Sequence, residues 1–283
     1  MIDTPDILRL PMPFDYPTHN SQIFEEFFYE KFISNIVEFK LTYLPIFWTS
    51  LYVSRNYGKG DISDIQNYLN SLDRSKKYFT LVQYDEGILN DISFLDIYIF
   101  SLAQDQKFDY ILPTTCLPRP NINKDRDRDI FCSSFGRYKG VYDHPLQDKL
   151  ISKLEKPKYL ISKKIDQNIY YDFLERSLFF ICANGYSPTT FKICECFQHG
   201  TIPVFLYDKK WIPFEDEIDF ERACVMISED NIDYIDSILS NISSEKIQDM
   251  REYGNYIYEN YYVYNSLYTK VIEILKKNNN IYE

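Results

Sequence analysis

Residues 178–206 read LFFICANGYSPTTFKICECFQHGTIPVFL, and this stretch decides the fold. Its first six residues are apolar and predict a buried strand, which ends in the loop of residues 184–187 (NGYS). We expect the next helix to begin at Pro188, because a first helical position leaves its N–H unused, with Ser187 as the N-cap. A second apolar strand covers residues 201–208. Strand, helix and strand in this order predict a βαβ unit with parallel strands.

The loop and the helix start have the composition of an anion-binding site. Free backbone N–H groups at a helix N-terminus and the helix dipole both attract phosphate. Gly185 has no Cβ, so the backbone can approach a diphosphate closely, and Lys192 adds a positive charge. Glu195 offers a carboxylate that can accept two hydroxyl protons from a ribose or sugar diol. The candidate donor-binding residues are therefore Gly185, Tyr186, Ser187, Pro188, Thr189, Thr190, Lys192 and Glu195. The alternative is a well-capped helix with a surface glutamate.

Strand and helix patterns alternate through the rest of the chain. In the first half, residues 22–36 and 61–75 have helical spacing, whereas residues 40–53 resemble a buried strand and its turn. Residues 78–87 predict a strand that ends in an acidic loop, and residues 91–104 fit a helix or a strand equally well. Open parallel sheets bind ligands at the carboxyl ends of their strands, so the loops after strands are where we expect function.

A polar segment divides the pattern in two. Residues 117–129 (LPRPNINKDRDRD) contain prolines, asparagines and alternating charges, with little to bury. We therefore predict an α/β protein of two domains, residues 1–120 and residues 121–283, with the last helix packing back on the first domain. The run Asp125-Arg126-Asp127-Arg128-Asp129 contains Asp-x-Asp, but it precedes a strand and its arginines compensate the carboxylates. We interpret it as a solvated linker rather than a metal site.

The composition of the chain limits the kinds of protein it can be. The chain has 283 residues, is 45% hydrophobic, and carries 31 basic and 42 acidic residues for a net charge of -11. This balance argues against nucleic acid as a partner. The cysteines lie among apolar residues and predict buried, reduced thiols. The N-terminal residues lack a basic, apolar signal pattern, and no apolar stretch is long enough to span a membrane, so we expect a cytoplasmic protein.

The segment from Gly185 onward resembles the exostosin-family signature. That signature reads Gly-x-x-Pro-x-Ser-x-Arg-x-x-Glu, then Gly-x-Ile-Pro-Val, then Pro-Phe. Its places are taken here by Gly185, Pro188, Thr190, Lys192, Glu195, Gly200, Ile202, Pro203, Val204, Pro213 and Phe214. Lys192 stands where Arg is usual and Thr190 where Ser is usual. Lysine lacks the bidentate fork of arginine, so we expect a looser phosphate contact.

The resemblance implies a GT-B arrangement, in which two Rossmann-like domains with parallel sheets face a central cleft. It also implies an inverting, metal-independent glycosyltransferase that uses a UDP-sugar and a glycan acceptor and needs no cofactor. Arg137, in the matching Gly136-Arg137 turn, would reach the diphosphate; an exposed loop arginine is the alternative. The short chain is similar to soluble versions encoded by large DNA viruses, among which xylose transfer occurs, so UDP-xylose is the first expected donor.

Sugar transfer needs a general base on the acceptor hydroxyl. We favour Asp85, at the end of a buried-looking strand in the N-terminal half, with His19 in a loop of the same half as the second candidate. For both, an ordinary loop residue is the alternative. His144 at a helix start and His199 at a helix end are both interpreted as structural, and at the helix end an imidazole suits the helix dipole.

Two other classes of function remain to be weighed. A non-catalytic glycan- or nucleotide-binding module with the same fold is the main alternative to an enzyme. A dinucleotide-dependent oxidoreductase is disfavoured, because no Gly-x-Gly-x-x-Gly opens an early helix.

Overall fold

The structure is a computed structural model, which describes residues 4–13, 22–35, 39–102, 108–116, 118–138, 145–154, 157–185 and 187–281, without the side chains of residues 167, 168 and 278–281. The chain divides into two compact units. Unit 1 comprises Met1–Leu117 and Val263–Glu283, and unit 2 comprises Pro118–Tyr262. The last helix thus belongs to the unit that contains the N-terminus.

The described residues form nine strands and ten α-helices. The strands are β1 (Thr42–Tyr43), β2 (Lys77–Val82), β3 (Asp96–Ser101), β4 (Tyr110–Ile111), β5 (Ile130–Phe135), β6 (Tyr159–Ser162), β7 (Ser177–Ala183), β8 (Ile202–Tyr207) and β9 (Val225–Ser228). The helices are α1 (Phe24–Ser34), α2 (Trp48–Ser54), α3 (Ser63–Asn70), α4 (Pro145–Leu154), α5 (Gln167–Arg176), α6 (Phe191–His199), α7 (Phe220–Ala223), α8 (Ile235–Ser240), α9 (Ser244–Ile257) and α10 (Tyr264–Ile281). No described helix has the length and apolar character needed to cross a bilayer.

Unit 1 is built on a parallel sheet with the strand order β1-β2-β3-β4. β2 is buried along almost its whole length, as expected for a central parallel strand covered on both faces. Helix α1 packs aromatic rings against this sheet: the rings of Tyr43 and Phe79 stack 4.9 Å apart, and Phe28 and Phe32 meet their edges. The high aromatic content of the sequence is thus used mainly for the core.

Two segments of unit 1 bear on the predictions made from sequence. For one the prediction is largely wrong, and for the other the structure decides between helix and strand. Residues 40–53 hold only the two-residue strand β1, and then turn into helix α2, so the prediction of a buried strand there is largely wrong. Pro45 has no N–H for a ladder hydrogen bond, so the strand cannot continue through it. Residues 91–104, which fitted either state, contain strand β3, whose Ile97, Tyr98 and Ile99 are residue types that favour a pleated sheet.

Unit 2 contains a second parallel sheet, with the order β6-β5-β7-β8-β9. All four strand pairs are parallel, and β7 lies at the centre, with Ile181 opposite Val204 of β8. Helix α6 connects β7 to β8, as the βαβ pattern of residues 178–206 predicts. The predicted α/β class with two parallel, Rossmann-like sheets is confirmed. The six cysteines are free and buried, which also agrees with the sequence.

Candidate functional site

Helix α6 starts later than its sequence suggests. It begins at Phe191, and its N-cap is Thr190, whose extended backbone (φ -155°, ψ 141°) lets Oγ1 accept a hydrogen bond from the Lys192 N–H. The prediction that Pro188 begins the helix and Ser187 caps it is therefore wrong. The Gly185 N–H donates to the Thr189 carbonyl over 3.2 Å, which closes a loop over residues 185–189 and delays the first helical turn.

Lys192 places its ammonium at the carboxyl end of a neighbouring strand. Its Nζ donates to the Phe135 carbonyl at the end of β5 over 2.5 Å, and lies 5.8 Å from the centre of the Tyr138 ring. A Cβ on Gly136 would lie 3.5 Å from this ammonium, so the glycine leaves room beside it. Burial lowers the pKa of Lys192. A cation with one carbonyl partner at this edge of the sheet is suited to an anionic ligand.

Glu195 lies one turn further along α6 and is 4% exposed. Its oxygens accept hydrogen bonds from the hydroxyls of Tyr170 (2.7 Å) and Tyr171 (3.2 Å), both on α5. Burial raises the pKa of the Glu195 carboxyl. Arg119 donates to the same Tyr171 hydroxyl over 2.5 Å. Glu195 therefore ties α5 to α6 in this structure, and its role as a ribose ligand stays a prediction.

Asn184 was not singled out by the sequence, although it is the first residue after β7. It is 3% exposed, and its Nδ2 donates to Asp208 Oδ1 over 2.6 Å, which links the carboxyl ends of β7 and β8. Its Oδ1 is buried and has no hydrogen-bond partner among the described residues. An unsatisfied buried acceptor is uncommon and calls for an explanation. Here it adds an acceptor for a ligand N–H or O–H beside the loop of residues 185–189.

Arg137 follows the turn after β5, as the sequence suggests. Gly136 is left-handed (φ 90°), and its N–H donates to the Ser162 carbonyl at the end of β6 over 3.2 Å. The Gln147 amide donates to the Gly136 carbonyl. This turn places Arg137 at the same strand ends as Lys192, with an exposed side chain. Its contact with a diphosphate stays a prediction.

The predicted donor residues thus converge at one edge of the unit 2 sheet, apart from Tyr186, which lies outside the described residues. His19, the second candidate for the base, and His144 also lie outside them. Asp85 follows β2 in a turn at the carboxyl end of the unit 1 sheet and is half-buried. Its catalytic role stays a prediction.

Glu25 is a buried acid on helix α1. The helical periodicity of the sequence predicts the helix but gives no sign that this carboxyl is buried. It is 1% exposed, and its Oε1 accepts from the Gln83 N–H and the Thr49 hydroxyl, each over 2.7 Å. Oε2 accepts from the Thr49 N–H over 3.1 Å. Burial raises the pKa of Glu25 from 4.5 to about 8. The side chain therefore holds α1 to the start of α2 and to Gln83, two residues before Asp85.

The interpretation of residues 125–129 as a solvated linker is wrong for Arg128. Its guanidinium donates to the carbonyls of Ser177 (2.9 Å) and His199 (2.8 Å) and to the Thr201 hydroxyl (2.6 Å). It therefore joins the helices and strands at the amino ends of β7 and β8. Within the part of the chain that the structure describes, no group of three or more His, Cys, Asp or Glu side chains is arranged to hold a metal ion.

His199 is structural, but not through the helix dipole. Burial and the nearby charges of Arg119 and Arg128 lower its pKa to about 3, so the imidazole is neutral near pH 7 and gains nothing from the dipole. The ring stacks on Tyr171 with 5.4 Å between centroids, and its Nδ1 lies 3.1 Å from a Glu175 carboxylate oxygen. The neutral tautomer that donates from Nδ1 fits this contact.

Sequence comparisons identify the family of the chain. The profile of the Exostosin GT47 domain matches residues 94–242, more than half of the 283 residues. Over 78 residues, or 28% of this chain, the sequence is 35% identical to "Probable glucuronosyltransferase GUT1" of Oryza sativa subsp. japonica. It is also 35% identical over 78 residues to "Probable beta-1,4-xylosyltransferase IRX10L" of Arabidopsis thaliana. The matched segment is 19% of each of these relatives.

Solved structures resemble the fold more distantly. The pneumococcal O-GlcNAc transferase GtfA, in complex with UDP and GlcNAc, aligns with a TM-score of 0.44 and 11% identity over 77% of this chain and 60% of its own. TarM aligns with a TM-score of 0.44 and 11% identity over 75% of this chain and 53% of its own. Similarity at this level carries no information about the reaction.

Proposed function

The chain belongs to the exostosin GT47 family, and on that premise we propose that it is a glycosyltransferase that moves a sugar from a UDP-sugar to a hydroxyl of a glycan. The observation that carries the proposal is the position of Lys192. Its ammonium lies at the end of β5, and its backbone N–H is capped by Thr190 at the start of α6. Cation, helix N-terminus and glycine-containing loop together form a site for a diphosphate.

The residues divide into two roles. On the donor side, Lys192, Arg137 and the N–H groups at the start of α6 stabilise the negative charge that develops on the departing UDP. On the acceptor side, Asp85 takes the proton from the attacking hydroxyl, as a general base does. Attack opposite the leaving group inverts the anomeric carbon, and all the charge stabilisation in this scheme comes from protein groups without a metal.

UDP-xylose is the first donor to test. One relative carries a xylosyltransferase name and another a glucuronosyltransferase name. Xylose and glucuronic acid differ only at C5. The names of the relatives therefore support the class of donor more strongly than they identify the particular sugar. The proposed site of action is the cytoplasm.

Nucleotide binding tests the donor site directly. We would titrate UDP into purified protein in the presence of EDTA, compare the wild type with Lys192→Met, and use Lys246→Met, an exposed lysine on α9, as the matched control. The lost charge-assisted contact should weaken UDP binding about 10- to 100-fold in Lys192→Met and leave Lys246→Met unchanged. Equal affinity in all three proteins would refute the placement of the diphosphate.

Turnover separates the enzyme from a binding module with the same fold. A panel of UDP- and GDP-sugars would be incubated with the protein, and released nucleotide would be measured with and without glycan acceptors. Under our proposal one UDP-sugar is consumed without added metal, and Asp85→Asn abolishes consumption while UDP still binds. Tight UDP binding with no consumption of any donor would instead favour the non-catalytic module.

A further inference from the structure

Three consecutive left-handed residues follow helix α2. Asn56 has φ 53°, Tyr57 has φ 56° and Gly58 has φ 73°. Asparagine and glycine adopt this conformation readily, but a tyrosine does so rarely, because its Cβ approaches the following carbonyl oxygen. The chain therefore holds a bulky side chain at a position where the backbone disfavours one.

Packing does not account for the tyrosine. Its side chain is 56% exposed, so little apolar area is removed from water in return for the strain. The hydrogen bonds of the turn use only its backbone and that of its neighbours: the Tyr57 carbonyl accepts from the Tyr84 hydroxyl over 3.0 Å, and the Gly58 N–H donates to the Tyr52 carbonyl over 2.9 Å. A glycine at position 57 would make the same backbone bond.

The turn is fastened to the loop after β2. Tyr84 reaches across to the Tyr57 carbonyl from the residue next to Asp85, and its ring lies 5.1 Å from the Tyr52 ring of α2. Burial and the charges of Glu86 and Asp85 raise the pKa of Tyr84 to about 12. The Tyr57 carbonyl is thus bonded to the residue that precedes Asp85 and Glu86, in the loop that follows β2 at the carboxyl end of the sheet, where α/β proteins bind ligands.

Strained backbone that the fold does not use concentrates at binding sites. We propose that Tyr57 is a binding residue for the glycan acceptor: its ring stacks on the apolar face of one sugar unit, while Asp85 and Glu86 accept hydrogen bonds from that unit's hydroxyls. A tyrosine has only two χ angles, and both are restricted on this fixed turn. Its ring therefore loses little conformational entropy when a sugar binds. This inference rests on the proposed transferase function and names residues of its acceptor side.

The test uses relief of strain to separate binding from folding. In Tyr57→Gly the turn keeps its backbone bond and loses its strain, so the melting temperature should stay the same or rise by a few degrees. Asn56→Gly relieves the adjacent left-handed residue and keeps the ring, and serves as the matched control. Binding of a panel of neutral oligosaccharides, with xylotetraose included, would be measured on a glycan array and then by calorimetry on the best binder.

We expect Tyr57→Gly and Tyr57→Ala to bind that oligosaccharide about tenfold more weakly, Tyr57→Phe and Asn56→Gly to bind like the wild type, and UDP affinity to be unchanged in all four. A lowered melting temperature with normal glycan binding in Tyr57→Gly would overturn the inference, since the ring would then serve the fold. Wild-type protein that binds UDP but no glycan on the array would also overturn it, while leaving the donor site standing. Failure of UDP binding would count against the proposed function itself.

Discussion

Replacing Glu25 with glutamine should change how the stability of this protein depends on pH. The carboxyl is buried and accepts three hydrogen bonds from Thr49 and Gln83. Burial raises its pKa in the folded state to about 8 from an ordinary value of 4.5. Between these two values the unfolded chain has released the proton and the folded chain still holds it. Stability contributed by the protonated group is therefore complete below pH 4.5 and is lost as the pH rises toward 8.

The size of the effect follows from the shift. Each pH unit in this window changes the free energy of unfolding by about 1.4 kcal/mol for one proton, so the wild type should lose about 4 kcal/mol between pH 5 and pH 8 through this group. Glutamine has no proton to release and lacks this dependence. Its amide nitrogen, however, faces the Thr49 N–H in place of an oxygen, which costs about 1–2 kcal/mol at every pH.

Urea unfolding at pH 5, 6, 7 and 8 would measure this difference. Glu25→Gln should be less stable than the wild type at pH 5 and more stable at pH 8, so that the two curves cross. Glu252→Gln, an exposed carboxyl on α9, serves as the control for the loss of a surface charge. Parallel curves for Glu25→Gln and the wild type would refute the reasoning, because they would mean that Glu25 ionises alike in both states.

Three further variants test the second unit. Arg128→Met should lower the free energy of unfolding by about 2–4 kcal/mol in urea titrations, because the carbonyls of Ser177 and His199 lose their buried donor; a loss under 0.5 kcal/mol would contradict the buried anchor. Gly185→Ala should leave the melting temperature within about 2 °C, because the new Cβ would meet the Thr189 oxygen at an ordinary 3.6 Å, and should weaken UDP binding in calorimetry; unchanged affinity would argue against close approach of the diphosphate. Lys192→Arg restores the residue usual in the family and should tighten UDP binding severalfold through a bidentate contact, whereas weaker binding would show that the site is shaped for lysine.

Local patterns were enough to predict the order of elements in unit 2. Helical and strand periodicities depend only on neighbours in the chain, so the βαβ unit around residues 178–206 was predictable, and with it the edge of the sheet where Lys192 and the loop after β7 lie. The start of α6 was not predictable from the sequence, in which a cap at Ser187 is equally plausible. The hydrogen bond from the Gly185 N–H to the Thr189 carbonyl delays the helix.

The sequence by itself determined the α/β class, the parallel strands, the buried thiols and the donor-side motif, since each follows from spacing along the chain. Only the tertiary structure decided which charged residues are buried and what they touch. Glu25 meets Gln83 and Arg128 meets His199 across 58 and 71 residues of sequence. Whether a carboxyl keeps its proton or an arginine leaves solvent depends on groups brought together in space, and that information has no period along the chain.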